Sequence, residues 1–177
     1  MAYTAWSVSF GEQPSAAKWN LLGSNDASFA DGTGIANIAT DVTAISNPYK
    51  FSVHRNAAAN TGNGLFVKID FDTEAFDTNN NFASGTYTAP VSGFYQFNAR
   101  ASCAVTTQFL LAIYVNGSVV KRGTHVLGNG TVGCDLSVLL QLSATNTVEI
   151  HSLGNGGALE VATGVNVWFT GHLVSRT

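Results

Sequence analysis

The sequence predicts an all-β sandwich preceded by a short, mostly non-β N-terminal arm. Three observations carry that expectation. From Tyr49 onward, apolar residues recur at every second position in run after run, the period of strands buried on one face. Turn signals rich in Gly and Asn separate these runs at regular spacing, which gives roughly eight to ten short strands, the pattern of a sandwich or barrel. The composition is also short of charge: Asp, Glu, Lys and Arg make up 11% of the chain, against about 25% in an ordinary soluble domain. Ser, Thr, Asn and Gly supply the polar surface instead. That suits strands whose outer faces are neutral or covered by copies of the same chain.

A chain of 177 residues can bury the core of one good-sized domain and still carry an appendage. The sequence divides into an arm, residues 1–46, and a head, residues 47–177. The net charge is −3, with no run of Lys or Arg, which argues against a basic nucleic-acid surface. No basic stretch precedes an apolar core at the N-terminus, and no apolar run approaches the ~20 residues of a spanning helix. Neither a secretory signal nor membrane insertion is expected.

Within the arm, Pro14 and Ser15 open a helical candidate, AAKWNLL, that stops at Gly23 as helices often do. At about two turns it would not be stable alone. Ile35, Ile38, Val42 and Ile45 then fall at heptad-like spacings, and β-branched residues at both core positions favour three-stranded bundles. Gly34, Thr40 and Thr43 are poor helix formers, so an extended arm lying on a neighbouring subunit is the alternative.

In the head, YKFSVHR places Tyr49, Phe51 and Val53 on one face. GLFVKIDFD follows a Gly/Asn turn at residues 60–64, and Asn79, Asn80 and Asn81 mark a loop. Residues 85–100, GTYTAPVSGFYQFNAR, read as a short strand, a turn and a second strand. Pro90 has no N–H to give a ladder and so belongs at an edge or strand end. Beyond the turn, Tyr95, Phe97, Ala99 and Ala101 share one face, and Phe94, Gln96, Asn98 and Arg100 the other. Residues 109–121 form a hairpin around Asn116-Gly117, the strongest short-range signal for a type I′ turn. Residues 134–142 make a strand, residues 146–153 are expected to pair with it, and residues 165–174 make the last strand. Cys103 and Cys134 share the parity of core residues and read as buried thiols, with a disulfide between the two sheets as the alternative.

The motif YTAPVSGFYQF resembles the f-x-x-P-x-x-G-x-Y-x-F core of the globular head of complement C1q, whose fold is shared with tumour necrosis factor. Phe82, Pro90, Gly93, Tyr95 and Phe97 stand in the matching order. LAIYVNGSVV is similar to that family's l-x-k-N-G-x-x-V hairpin, and CDLSVLLQLSATNTVEI to its pair of late strands. FTGHLV is similar to its closing F-s-G-x-L-l. One departure is the turn between the late strands, Thr145-Asn146 where the family has Gly-Asp. The resemblance spans residues 49–174 and implies a ten-stranded, tumour necrosis factor-like jelly-roll sandwich. It also implies a homotrimer with the chain ends close together at its base. A second resemblance covers residues 12–35, EQPSAAKWNLLGSNDASFADGTGI, which is similar to a segment near the start of phage tail-fibre and receptor-binding proteins. It implies a virion protein, assembled in the host cytoplasm, that meets other virion proteins through its arm.

If the outer faces of the strands near the threefold axis meet the neighbouring subunits, parity assigns His54, Gln96, Asn98, Arg100, Glu149, His151, Trp168 and His172 to the trimer interface. Three histidines repeated about an axis would suit a metal site or a pH-sensitive contact; they are read here as hydrogen-bonded polar groups, with no metal and no cofactor. Asp70, Asp72, Glu74 and Asp77 form an acidic cluster. Calcium near the apex of some complement-head relatives makes it a candidate, yet its spacing matches no EF-hand loop and a solvated loop is the plainer reading. Receptor contact is expected from loops 57–64, 123–130 and 153–157, through Asn60, Asn63, His125, Asn129 and Asn155. Asn116-Gly-Ser and Asn129-Gly-Thr match a glycosylation sequon but read as turns.

No nucleophile elbow, zinc motif or phosphate loop is present, so no catalytic residue is assigned. The expected function is a non-enzymatic trimeric binding module of a phage or prophage particle, a tail-fibre or receptor-binding tip that contacts a bacterial surface glycan or protein. The alternative is a virion structural protein, a capsid decoration or head-fibre component, without host recognition.

Overall fold

Every residue described in the computed structural model, 49–105, 107–155, 157–159 and 164–177, belongs to the second of the chain's two units, Pro48–Thr177. The expectations for the arm, both its helical candidate and its phage-like segment, lie outside the described residues. Within them the chain forms β1 (Lys50–His54), β2 (Val67–Lys68), β3 (Thr73–Asp77), β4 (Phe82–Ala83), β5 (Thr86–Thr88) and β6 (Gly93–Val105). It continues as β7 (Gln108–Val115), β8 (Ser118–Arg122), β9 (Val126–Leu127), β10 (Gly130–Leu142), β11 (Thr147–Gly154) and β12 (Trp168–Arg176). Three of these, β2, β4 and β9, are only two residues long.

The strands form two antiparallel sheets. The first runs in the order β10-β6-β12-β1-β3 and the second β4-β5-β11-β7-β8, with β2 added on β11 and β9 on β7. Alternation is clearest on β11 and β6, whereas β7 is buried on both faces from Phe109 to Ile113. Along β11 buried and half-buried residues alternate without a break, and β6 turns Tyr95, Phe97, Ala99, Ala101 and Cys103 inward at no more than 1% exposure.

Aromatic rings fill the centre. Phe51 stacks on Tyr87 with ring centroids 4.6 Å apart and meets Phe169 edge-on at 4.9 Å. Burying each such ring stabilises the fold by about 1.5–3 kcal/mol. Gly171 explains how so many rings fit. It pairs with Phe51 on one side and Phe97 on the other, and a Cβ there would lie 2.5 Å from the Phe97 ring and 2.6 Å from that of Phe51. The glycine of FTGHLV is therefore a gap that two phenylalanines occupy.

Turns close the frame at one end. Asn116 and Gly117 both have positive φ, 50° and 76°, as a type I′ hairpin requires. Asn116 also accepts the Thr147 N–H on its side-chain oxygen at 2.9 Å, so the turn is locked onto β11. The start of β1 and the last strand β12 meet at this same end, where the Leu173 N–H donates to the Tyr49 carbonyl at 2.8 Å.

One expectation is corrected. Residues 146–153 do not pair with residues 134–142. β10 pairs with β6, and the chain then crosses through residues 143–146 to the other sheet, where β11 pairs with β7, β5 and β2. A short connection between two apolar strands looks like a hairpin in sequence, but both strands bury a face against the same core from opposite sides. Cys103 and Cys134 are the buried thiols expected, and they do not face each other across the sandwich as the alternative disulfide would need. They sit on the neighbouring strands β6 and β10, where Cys103 pairs with Val132 and Cys134 with Ala101, and both are buried thiols. Burial pushes the Cys134 thiol up to about 11, and its Sγ lies 3.3 Å from the Phe109 carbonyl and 3.2 Å from that of Thr124.

Candidate functional site: a polar sheet face and an apical loop cluster

The outward positions of the first sheet line up across its strands in three rows. His54 pairs with Trp168, Trp168 with Arg100, and Arg100 with Asp135. In the middle row Ser52 pairs with Thr170, Thr170 with Asn98, and Asn98 with Ser137. The third row runs Lys50, His172, Gln96, Leu139. Hydrogen bonds knit the face laterally. Ser137 Oγ donates to Asn98 Oδ1 at 2.8 Å, and Gln96 Nε2 donates to Ser137 Oγ at 3.1 Å and to Asn98 Oδ1 at 3.3 Å. Arg100 Nη1 meets both oxygens of Asp135 at 3.0 Å. Six of the eight residues expected at the trimer interface, His54, Gln96, Asn98, Arg100, Trp168 and His172, therefore share one continuous face.

Glu149 and His151 do not. They stand on β11, in the other sheet and facing away from it, so the expectation that all eight lie on one surface is not met. Parity tells which residues point out of a sheet but not which sheet carries them. The pair instead clasps β2 to β11, in the register His151 to Lys68. The Glu149 carboxylate accepts from Thr86 Oγ1 at 2.8 Å, from His151 Nε2 at 3.0 Å and from Lys68 Nζ at 3.5 Å. Burial pushes its pKa up, but the hydrogen bonds from His151 and Thr86 and the Lys68 charge outweigh this and hold it below the usual carboxylate value. The His151 ring stacks on Tyr114 at 3.8 Å, Tyr114 meets Phe66 edge-on at 6.0 Å, and Arg122 lies 5.3 Å above the Phe66 ring. Sequence reasoning missed this cluster because its members come from five strands and the loop before β2, with no motif between them.

The expected contact loops gather at the end of the sandwich opposite Tyr49 and the C-terminal end of β12. Asn60 bridges to Ala158 and Asn63 to Asn155. Gln108, unmarked in the sequence, joins two more of them: its Nε2 donates to Asn155 Oδ1 at 3.5 Å, and its Oε1 lies 2.9 Å from His125 Nε2. Asn129 lies in the same end's loop between β9 and β10, which is tied down where the Gly128 N–H donates to the Thr107 carbonyl at 2.9 Å. Between the first two loops is an open cleft of about 590 Å³ lined by Asn60, Gly62, Asn63, Gly157 and Ala158.

The acidic cluster does not converge. Asp72 accepts the N–H groups of Asn56 and Ala57 at 2.8 and 2.7 Å, and Asp77 accepts those of Phe82 and Asn79 at 2.7 and 3.3 Å. Both carboxylates brace loops. Among the described residues no three His, Cys, Asp or Glu side chains come together as metal ligands would.

Two antiparallel sheets in this strand order, wrapped on an aromatic core, define an all-β jelly roll. Residues 50–174 match the C1q domain family, and the chain belongs to that family. Its fold is similar to the globular domain of the zebrafish complement 1qA protein, at 20% identity over 73% of this chain and 99% of that one, with a TM-score of 0.59. It is also similar to the Eiger TNF structure from S. frugiperda, at 8% identity over 74% and 95% with a TM-score of 0.60. Murine APRIL aligns at 7% identity over 72% and 99%, with a TM-score of 0.57. Among curated proteins none matches the chain. A C1q domain is a binding module, and no enzyme family is indicated.

Proposed function

We propose that the chain is the trimeric binding head of a phage or prophage particle, a tail-fibre or receptor-binding tip that attaches to a bacterial surface. The carrying observation is the placement of the apical loop cluster at the end of the sandwich away from Tyr49 and the C-terminal end of β12. A head anchored through its N-terminal arm would present those loops outward. The phage assignment draws on the resemblance of residues 12–35 to tail-fibre segments. The three-row polar face of the first sheet is the surface on which three copies would meet, with Gln96, Asn98, Ser137, Arg100 and Asp135 already hydrogen-bonded among themselves within each subunit. Three apices on one particle turn weak single contacts into firm attachment, because the second and third contacts form at high effective concentration.

Purified full-length protein should sediment as a trimer, adhere to bacterial cells and leave their surface glycans intact. Adherence to phage capsids with no adherence to cells would instead make it a capsid decoration or head-fibre component. Loss of surface glycan on incubation would make it an enzyme.

A further inference from the structure

Resting on the reading of the apex as the receptor-contact end, we infer that the cleft between residues 60–63 and 157–158 takes a neutral, hydroxyl-bearing ligand, a stretch of uncharged surface glycan. The described residues that line the cleft carry no charge. Among the described residues, two charges that adjoin residues 56–58 are engaged elsewhere: Arg55 donates to the carbonyls of Asp70 and Ala58, and Asp72 holds the Asn56 and Ala57 amides. Asn60 and Asn63 are exposed, and their side-chain amides make no hydrogen bond among the described residues. Each therefore offers an acceptor and two donors, the mixed set that neighbouring sugar hydroxyls satisfy. Leu65, 73% exposed, stands beside the cleft with its carbonyl against Gly62 and supplies an apolar edge for the C–H face of a sugar ring. The volume of about 590 Å³ lies within the ~300–1,000 Å³ of small-ligand sites.

Backbone hydrogen bonds join the two sides of the cleft. The Thr61 and Gly64 N–H groups donate to the carbonyls of Gly157 and Gly154 at 3.0 and 3.1 Å, and those of Gly154 and Leu159 to Thr61 and Ala59 at 3.0 and 2.7 Å. The same bonds, with Thr61 Oγ1 on the Gly157 carbonyl at 3.0 Å, hold the cleft in shape before a ligand arrives, which lowers the ordering cost of binding. Gly62, with φ of +81°, keeps it open, since a Cβ there would sit 2.4 Å from the Leu65 carbonyl oxygen.

The test is ligand-observed saturation-transfer NMR of the full chain against a panel of neutral and anionic bacterial-surface oligosaccharides, beside adhesion to cells treated with periodate or with protease. We expect saturation transfer to neutral oligosaccharides that survives high salt. Asn60→Ala with Asn63→Ala should weaken it about tenfold, the worth of roughly one to two hydrogen bonds, at an unchanged melting temperature. Should that double variant melt early, Asn63→Gln, which keeps the amide but displaces it, is expected to weaken binding in the same direction. Binding confined to anionic sugars and lost in salt overturns the inference. So does cell adhesion that protease abolishes and periodate spares, although the proposed attachment role would stand. Oligosaccharide binding without adhesion to any cell supports the neutral cleft and overturns the attachment role.

Discussion

Gly171 lies directly opposite Phe97 across the pairing of β12 with β6, and the missing side chain is where the Phe97 ring sits. Gly171→Ala is therefore expected to overpack the core at its most crowded point and to destabilise the head by about 1–3 kcal/mol. Urea unfolding of the two proteins measures it. Adding Phe97→Leu should recover part of the loss, because the smaller side chain vacates the space that the new methyl needs.

The Glu149 clasp makes stability depend on pH with a defined sign. Its folded-state pKa lies below the ordinary value of 4.5, so its contribution is complete above that value and is lost as pH falls through the folded pKa. Glu149→Gln should cost about 1 kcal/mol at neutral pH, the scale of a half-exposed charged hydrogen-bond network. The two proteins should converge once the pH has fallen below the folded-state pKa. A constant gap between their pH-stability curves would remove the carboxylate from the account.

Cys134 should resist modification in the native state. Its thiol is buried, with a pKa raised to about 11, and thiolate is the reactive form. Mass spectrometry after iodoacetamide treatment at neutral pH should find Cys134 unmodified in the folded protein and alkylated once denaturant is added. Rapid native alkylation would show that the strand pair β6–β10 opens locally.

The polar face gives a direct test of assembly. Asn98→Arg places a cation in the middle row, repeated three times around any axis that this face surrounds. The variant should sediment as a monomer with its β circular dichroism intact. A stable trimer of Asn98→Arg would move the interface to another face.

Much of this architecture was legible in the residues. The inward set Tyr95, Phe97, Ala99 and Ala101 and the turn at Asn116-Gly117 follow from local rules, alternation in one case and positive φ in the other. What was not legible is which sheet a strand joins. Residues 143–146 lead across the sandwich rather than back along it, and nothing local to those residues specifies the crossing. The same gap moved Glu149 and His151 to the opposite layer, although both do point outward from their own sheet. Gln108 escaped notice for a related reason, since its two partners, Asn155 and His125, lie on loops far from it in sequence and from each other.

The separation of Tyr49 and the C-terminal end of β12 from the apical loops has a consequence for change over time. Loops 57–64, 123–130 and 153–157 begin or end on strands whose register is fixed elsewhere, and lengthening a loop costs only about 0.6 kcal/mol per doubling. Their sequence and length can drift with little penalty to the sandwich, whereas the row Phe51, Gly171, Phe97 tolerates almost no change. Variants adapted to different surfaces would then differ at the tip and agree at the hub, and a foreign binding loop spliced between β11 and β12 would inherit a ready-made scaffold.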